Sequence, residues 1–287
     1  MLRLPRKPAF ALLLSALLLI AGLAGCGSSD DSTTDATAAS CKPGQLPTQE
    51  QGVLTVATDQ PAYPPYFEDN DPTNGKGFES AVAYAIADQL GYPKAKVKWT
   101  VEPFNSSYAP GPKDFDFDVN QISISPVREK AVDFSSPYYT ANQAVVALKG
   151  SEAAGAKSLA DLQETQIGVQ IGTTSLDAVE AEIEPSEEPE VFNNSGDVVT
   201  ALKNEQIDAV VVDLPTALFL TAVQVPEATV VGQFSAPGGD EWGALLEKDS
   251  PLTACVSEAV DELRESGELQ QLETRWMSQA AGAPELR

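Results

Sequence analysis

Residues 208–223 read Asp208-Ala209-Val210-Val211-Val212-Asp213-Leu214-Pro215-Thr216-Ala217-Leu218-Phe219-Leu220-Thr221-Ala222-Val223. An apolar, largely β-branched run ends on an aspartate, and a run with helical spacing of apolar residues follows at once. The first part predicts a buried strand over 209–212 and the second a helix over 214–223. The same strand-then-helix order recurs outward in both directions. Residues 53–58, 97–101, 118–123, 143–148 and 166–169 read as strands. Residues 78–90 (closed by Gly91), 175–183, 198–202 and 252–277 (broken near Gly267) read as helices, and Ser125-Pro126 as the N-cap and first-turn proline of one more. Such alternation predicts an α/β protein of mostly parallel strands. Residues 138–142 and 234–239 suit crossings between two domains. Residues 143–237 then form an inserted second domain, and 50–142 plus 238–287 the first.

The N-terminus carries a different signal. Arg3, Arg6 and Lys7 precede an uncharged apolar run over 9–22, which closes on Leu23-Ala24-Gly25-Cys26. The run is too short to span a bilayer comfortably, so residues 1–25 read as a signal peptide. Small residues before the cysteine make Cys26 the expected lipidation site, with residues 26–49 as the lipidated Cys and a flexible tether. The polar stretch 27–40 has nothing to bury and reaches roughly 20–25 Å for about 20 residues. The expected location is the cell membrane, on its extracytoplasmic face, held there by lipid and not by a spanning helix.

Charge narrows the partners. With 42 acidic against 18 basic residues the formal net charge is −24. That balance argues against nucleic acid and against electrostatic adhesion to anionic lipid, and it mildly attracts cationic solutes. The chain has no histidine, which removes Ser–His and Cys–His catalysis and histidine-ligated metals. Besides Cys26 there are only Cys41 and Cys255. In an exported chain these form either one disulfide or two separately placed thiols. No metal and no cofactor is expected.

The polar residues of interest gather where strands end. Asp59 follows the first strand, Gln121 and Ser123 end another, and Arg128 lies one turn into the helix predicted after Pro126. Thr173 and Thr174 sit between a strand and a helix, and Asp213 ends the run quoted above. In open α/β sheets ligands bind at the carboxyl ends of strands. A cation in the first turn of a helix opposes the macrodipole. Arg128 is therefore either a bidentate clamp for a bound anion or a surface partner of Glu129. Asp213 is either the N-cap of its helix or an acceptor for a ligand ammonium, and Thr173 and Thr174 are N-cap types as well as a second anion cradle. Tyr63 and Phe104 belong either to the core or to an aromatic sandwich around a ligand side chain.

Those positions also carry a resemblance. Leu54-Thr55-Val56-Ala57-Thr58-Asp59 with Tyr63-Pro64-Pro65, Gly77-Phe78-Glu79, Ile122 through Arg128, Val132 through Tyr139, Gly168 through Thr174, Asp208 through Asp213 and the terminal helix over 269–276 occur in one order. In that order they resemble the polar amino-acid-binding family of bacterial extracellular solute-binding proteins that serve ABC importers. The resemblance covers residues 50–280 and implies a two-domain type-2 periplasmic-binding fold with a hinge and an interdomain cleft. It implies a non-enzyme that binds an amino acid with a polar or basic side chain and hands it to ABC permease subunits, as a lipid-anchored monomer. Arg128 would clamp the ligand carboxylate with Ser123, Thr173 and Thr174. Asp213 would take the ammonium with the backbone at Gln121, and Asp59, Glu79 and Gln170 would face the side chain. Tyr63 and Phe104 would pack around it. One departure is the Pro/Gly-rich stretch 104–116, where relatives carry a short helix.

Overall fold

The computed structural model describes residues 41–277 and 283–287. The signal peptide, Cys26 and the stretch 27–40 lie outside the described residues.

Two five-stranded sheets form, each from one half of the strand set. The first holds β1 (Leu54–Thr58), β2 (Val97–Val101), β3 (Phe117–Asp118), β4 (Val132–Thr140) and β10 (Glu241–Glu247), in the order β2-β1-β3-β10-β4. The second holds β5 (Gln143–Leu148), β6 (Ile167–Gln170), β7 (Glu190–Phe192), β8 (Ala209–Asp213) and β9 (Ala228–Phe234), in the order β7-β6-β8-β5-β9. The chain passes from β4 to β5 through Ala141 and Asn142, and back from β9 to β10 through 235–240. The expectation of mostly parallel strands is corrected. β1 runs parallel to β2 and β3, and β6 to β7 and β8, but β10 is antiparallel to β3 and β4 and β5 to β8 and β9. The cause is the pair of crossings: a strand that returns from the other lobe arrives without a helical crossover and enters its sheet reversed.

Both faces of the second sheet are covered, which explains its continuous apolar runs. Val145, Ala147, Ala209 and Val211 pack to one side with Val169, Val179 and Ile183, while Ala144, Val146 and Val210 pack to the other with Val198, Leu202 and Ala217. In the first lobe α1 (Phe78–Gln89) lays Phe78, Val82 and Ile86 against Leu54, Val56 and the buried Trp242, together with α6 (Thr253–Glu265) and α7 (Glu268–Trp276). Each fully buried side chain of this size contributes roughly 1.5–3 kcal/mol.

The start of α1 is fixed by backbone. Gly77 sits at φ 96, and a Cβ there would lie 2.3 Å from the Tyr66 carbonyl oxygen. Only glycine allows that approach. It lets Phe78 N donate to Pro65 O (2.9 Å) and Glu79 N to Tyr66 O (3.1 Å), so the loop bearing Tyr63 and Tyr66 caps the helix that bears Glu79.

Cys41 and Cys255 are joined in a disulfide with Cα atoms 5.4 Å apart and a sequence separation of 214. The bridge fastens the N-terminal segment to α6. Replacing both cysteines by alanine should lower the unfolding free energy by about 3 kcal/mol. Urea denaturation checks this, and a midpoint unchanged from the parent would contradict it.

The last residues depart from the expected grouping of 238–287 with the first lobe. Gln233 N donates to Pro284 O (2.7 Å) and Leu286 N to Gln233 O (2.8 Å), placing this segment along β9 of the second sheet. Leu286 is buried over Gly232, where a Cβ would meet Leu286 Cγ at 2.6 Å.

Candidate functional site

The carboxyl ends of β1, β2 and β3 face those of β6, β7 and β8 across a cleft of about 600 Å³. Asp59, Tyr63, Phe104, Gln121, Ser123, Arg128, Gln170, Thr173, Thr174 and Asp213 all line it. The polar ends of strands thus meet because two sheets present the same edge to one another.

Glu79 does not reach the cleft, a correction to its expected place beside the ligand side chain. It is fully buried in the first turn of α1 and faces inward. Its Oε1 accepts from Gln121 N (2.7 Å) and from the Tyr138 hydroxyl (2.5 Å), and its Oε2 accepts from Gln121 Nε2. Gln121 itself stands at φ 49, a conformation disfavoured for a side chain of its size. Held on the backbone and on the side chain by one carboxylate, it is kept there by its surroundings, as strained residues at ligand sites are. Burial pushes the Glu79 carboxyl up to about 7, against the opposing pull of its three donors.

Arg128 lies in a single 3-10 turn, Arg128–Lys130, and not in the α-helix expected there. So short a turn has no macrodipole for Arg128 to oppose. Burial and hydrogen bonding replace it. The residue is 7% exposed; Nη1 donates to Ser123 O (2.6 Å) and Nη2 to Gly172 O (2.9 Å). The guanidinium lies 4.8 Å from the ring centroid of Tyr108 and 5.6 Å from that of Phe104. None of the ion pairs among the described residues involves Arg128, Glu129 included. Carbonyl partners are neutral, so the buried guanidinium has no carboxylate in direct contact, and burial pulls its affinity for the proton down against the pull of the more distant Asp240, Asp177 and Asp213.

Asp213 is the opposite pole. It does not cap α5 (Leu214–Phe219) with its side chain. Its Oδ1 instead accepts from Gln143 Nε2 at 2.7 Å, and burial, then the neighbouring Asp240, push its carboxyl well above the usual range. Thr173 does act as an N-cap, its hydroxyl accepting from Leu176 N at 3.3 Å and opening α3 (Thr174–Ala178). Thr174 points the other way: its hydroxyl meets Ser123 Oγ (3.2 Å) and donates to Asp240 Oδ2 (3.1 Å). Asp59 accepts from Gln60 N (2.6 Å) and Phe104 N (3.2 Å), so it orders the rim while facing the cleft. Gln170 Oε1 accepts from Ser195 Oγ at 2.6 Å.

Aromatic rings close the two lobes over one another. Tyr63 stacks on Phe219 of the second lobe, with centroids 6.0 Å apart and planes at 20°, and its hydroxyl reaches Gln121 Oε1 at 3.4 Å. The Tyr66 hydroxyl meets Thr216 Oγ1 at 2.8 Å. The stretch 104–116 begins with one helical turn, α2 (Phe104–Ser107), which sets Phe104 edge-on to Tyr108 at 5.4 Å. Sequence reasoning missed Tyr108, Gln143, Phe219 and Asp240. Gln143 alone left a signal, a polar residue heading an otherwise apolar strand; its pairing opposite Asp213 was not readable.

Two α/β lobes joined by two chain crossings, with a polar cleft between their strand ends, define a two-lobed binding protein of the type-2 periplasmic kind. The chain belongs to the bacterial extracellular solute-binding proteins, family 3, which it matches over residues 54–279. It is 29% identical over 272 residues to the arginine-binding extracellular protein ArtP of Bacillus subtilis, covering 93% of this chain and 97% of that one. It is 28% identical over 233 residues to the L-cystine-binding protein TcyJ of Escherichia coli K12, covering 79% and 84%. The solved structure of an ancestral arginine-binding protein bound to glutamine is 31% identical, with a TM-score of 0.66 and coverage of 79% of this chain and 98% of that one.

Proposed function

We propose that this protein captures a free amino acid with a polar or basic side chain and delivers it, as a lipid-anchored monomer, to the permease of an ABC importer. The observation that carries this is one cleft lined both by a buried guanidinium with no carboxylate in direct contact, Arg128, and by a half-buried carboxyl group, Asp213. Buried charges require opposite partners, and the carboxylate and ammonium of an amino acid supply both. Asp59, Gln121, Gln170 and Asn193 also line the cleft, carboxylate and amide groups suited to a polar or cationic side chain. Relatives named for arginine and cystine point the same way.

The ligand meets the first lobe at Asp59, Ser123 and Arg128, and hinge closure then brings Asp213 and Thr174. Contacts that cross between the lobes, Arg128 to Gly172 and Tyr66 to Thr216, hold the closed form. A catalytic reading on the same fold is less well supported. A lyase needs a general acid in the cleft; Glu79 is turned away behind Gln121, and Asp213, the cleft carboxyl that burial raises, already accepts from Gln143 and stands where the ligand ammonium is expected.

Calorimetric titration with free arginine, lysine, histidine, glutamine, cystine and glutamate tests the ligand class. The tightest binding is expected among the basic or polar members, and tight binding of glutamate alone would overturn it. The anchor at Cys26 predicts that Cys26→Ser releases the protein from the membrane fraction and abolishes its labelling by palmitate. Retained labelling would remove Cys26 as the site.

A further inference from the structure

Behind the cleft wall lies a polar cluster that the ligand reading has not used. Gln143 is fully buried, and its amide nitrogen donates to two different carboxylates, Asp213 Oδ1 at 2.7 Å and Asp240 Oδ2 at 2.6 Å. Its amide oxygen accepts from Ser175 Oγ at 2.6 Å, and the two carboxylate acceptors at its other end match the amide nitrogen. A carboxamide nitrogen has two hydrogens and both are used. Two acceptors on one such nitrogen lie about 4–5 Å apart by hydrogen-bond geometry. Asp240 has no exposed surface, and its Oδ1 has no hydrogen-bond partner. Asp240 belongs neither to β9 nor to β10 but to the crossing between the lobes, where its carbonyl accepts from Ala141 N of the other crossing at 2.8 Å.

We propose that Asp240 is a positioning residue for the cationic end of the cleft: it clamps Gln143 against Asp213 and Thr174 against Ser123, and capture of a ligand ammonium releases a proton from Asp213. The proposal rests on the amino-acid reading above. One hydrogen-bonded chain runs from Ser123 of the first lobe through Thr174, Asp240 and Gln143 to Asp213 of the second. Its middle member sits in the hinge, so rotation of the lobes moves the groups that aim Asp213.

The charge around the pair makes the proton step necessary. Arg128 is the cation that acts on Asp213, with Tyr63, Tyr66 and Tyr139 as its other titratable neighbours, while Asp177 joins the two aspartates in facing Arg128. Burial and the neighbouring Asp240, held on the same amide nitrogen, disfavour ionisation of the half-buried Asp213. A ligand ammonium placed on Asp213 favours ionisation there. The carboxyl O–H bond breaks, its proton goes to the buffer, and the ammonium keeps its own hydrogens.

The test uses L-arginine as probe and titration calorimetry at pH 6 in two buffers of different ionisation enthalpy, which counts protons released. Wild type should release a fraction of a proton and bind more tightly as pH rises. Asp240→Asn should bind with a flatter pH profile and release less, because the neighbouring charge is gone. Asp240→Ala, which also removes the clamp on Gln143 and Thr174, should weaken binding by about tenfold. Wild-type affinity in Asp240→Ala, or wild-type proton release in Asp240→Asn, would overturn the proposal. If wild type binds no amino acid, the functional reading fails separately. A ligand-free measurement then decides the pair: thermal unfolding of Asp213→Asn, Asp240→Asn and the double variant at pH 7. Non-additive effects are expected, and strict additivity would refute the pairing.

Discussion

Arg128→Ala is expected to lose L-arginine binding by at least about thirtyfold while the folded protein persists. The guanidinium is buried and spends two hydrogen bonds on the carbonyls of Ser123 and Gly172, leaving it without a directly contacting carboxylate in the cleft. Removing one member of a buried, hydrogen-bonded charge pair costs about 2–5 kcal/mol of binding. In the absence of ligand the same substitution deletes a buried cation that has no directly contacting carboxylate, so the melting temperature should stay near the parent value. Arg128→Lys separates charge from geometry. An ammonium keeps the charge but cannot form the planar, two-pronged contact or lie flat against Tyr108 and Phe104. Its affinity should fall between the other two. Calorimetric titration and thermal melts measure both effects, and undiminished affinity in the alanine variant would remove Arg128 as the carboxylate clamp.

How much of this site could be read from the chain depends on what kind of fact each residue embodies. Arg128, Asp213, Ser123 and Thr174 were legible because they sit just after apolar runs, and strand ends converge in any α/β sheet. Asp240 and Phe219 were not. They matter through contacts across the two crossings and between lobes, at separations that no local pattern encodes. Secondary structure divides the same way. β1, β2, β5 and β8 announce themselves by unbroken apolar or alternating runs, and the structure places them within a residue of the reading. β4 (Val132–Thr140) does not, because it buries Val132, Ser135 and Tyr138 at every third position and contains Pro137. Irregular register against β10, with shifts on either side of Gly243, is the physical reason for that rhythm. The strand predicted over 118–123 shrinks to β3 because Gln121 turns into the left-handed region three residues after Asp118.

Glu79 yields the second large effect, and its sign follows from burial. Its carboxyl is held at about 7, above the ordinary carboxylate value near 4.3 in the unfolded chain. A group whose folded-state value is raised contributes stability that is complete below the unfolded value and is lost as pH rises through the folded one. The expected loss between about pH 4.5 and 7 is roughly 3 kcal/mol, at 1.36 kcal/mol for each pH unit of displacement. Glu79→Gln cannot ionise, so its unfolding free energy should change less over that window. Denaturant titrations at intervals from pH 4.5 to 8 compare the slopes, and parallel curves would refute the assignment. Glu79→Ala acts through geometry instead. It strands Gln121 N, Gln121 Nε2 and the Tyr138 hydroxyl together in the interior. With each orphaned donor costing about 1–3 kcal/mol, a destabilisation of about 4 kcal/mol is expected. Gln121, no longer held at its positive φ, should relax away from the cleft. The alanine variant should therefore lose ligand affinity although residue 79 itself never touches the cleft, and that loss distinguishes a floor that shapes the site from one that merely supports it.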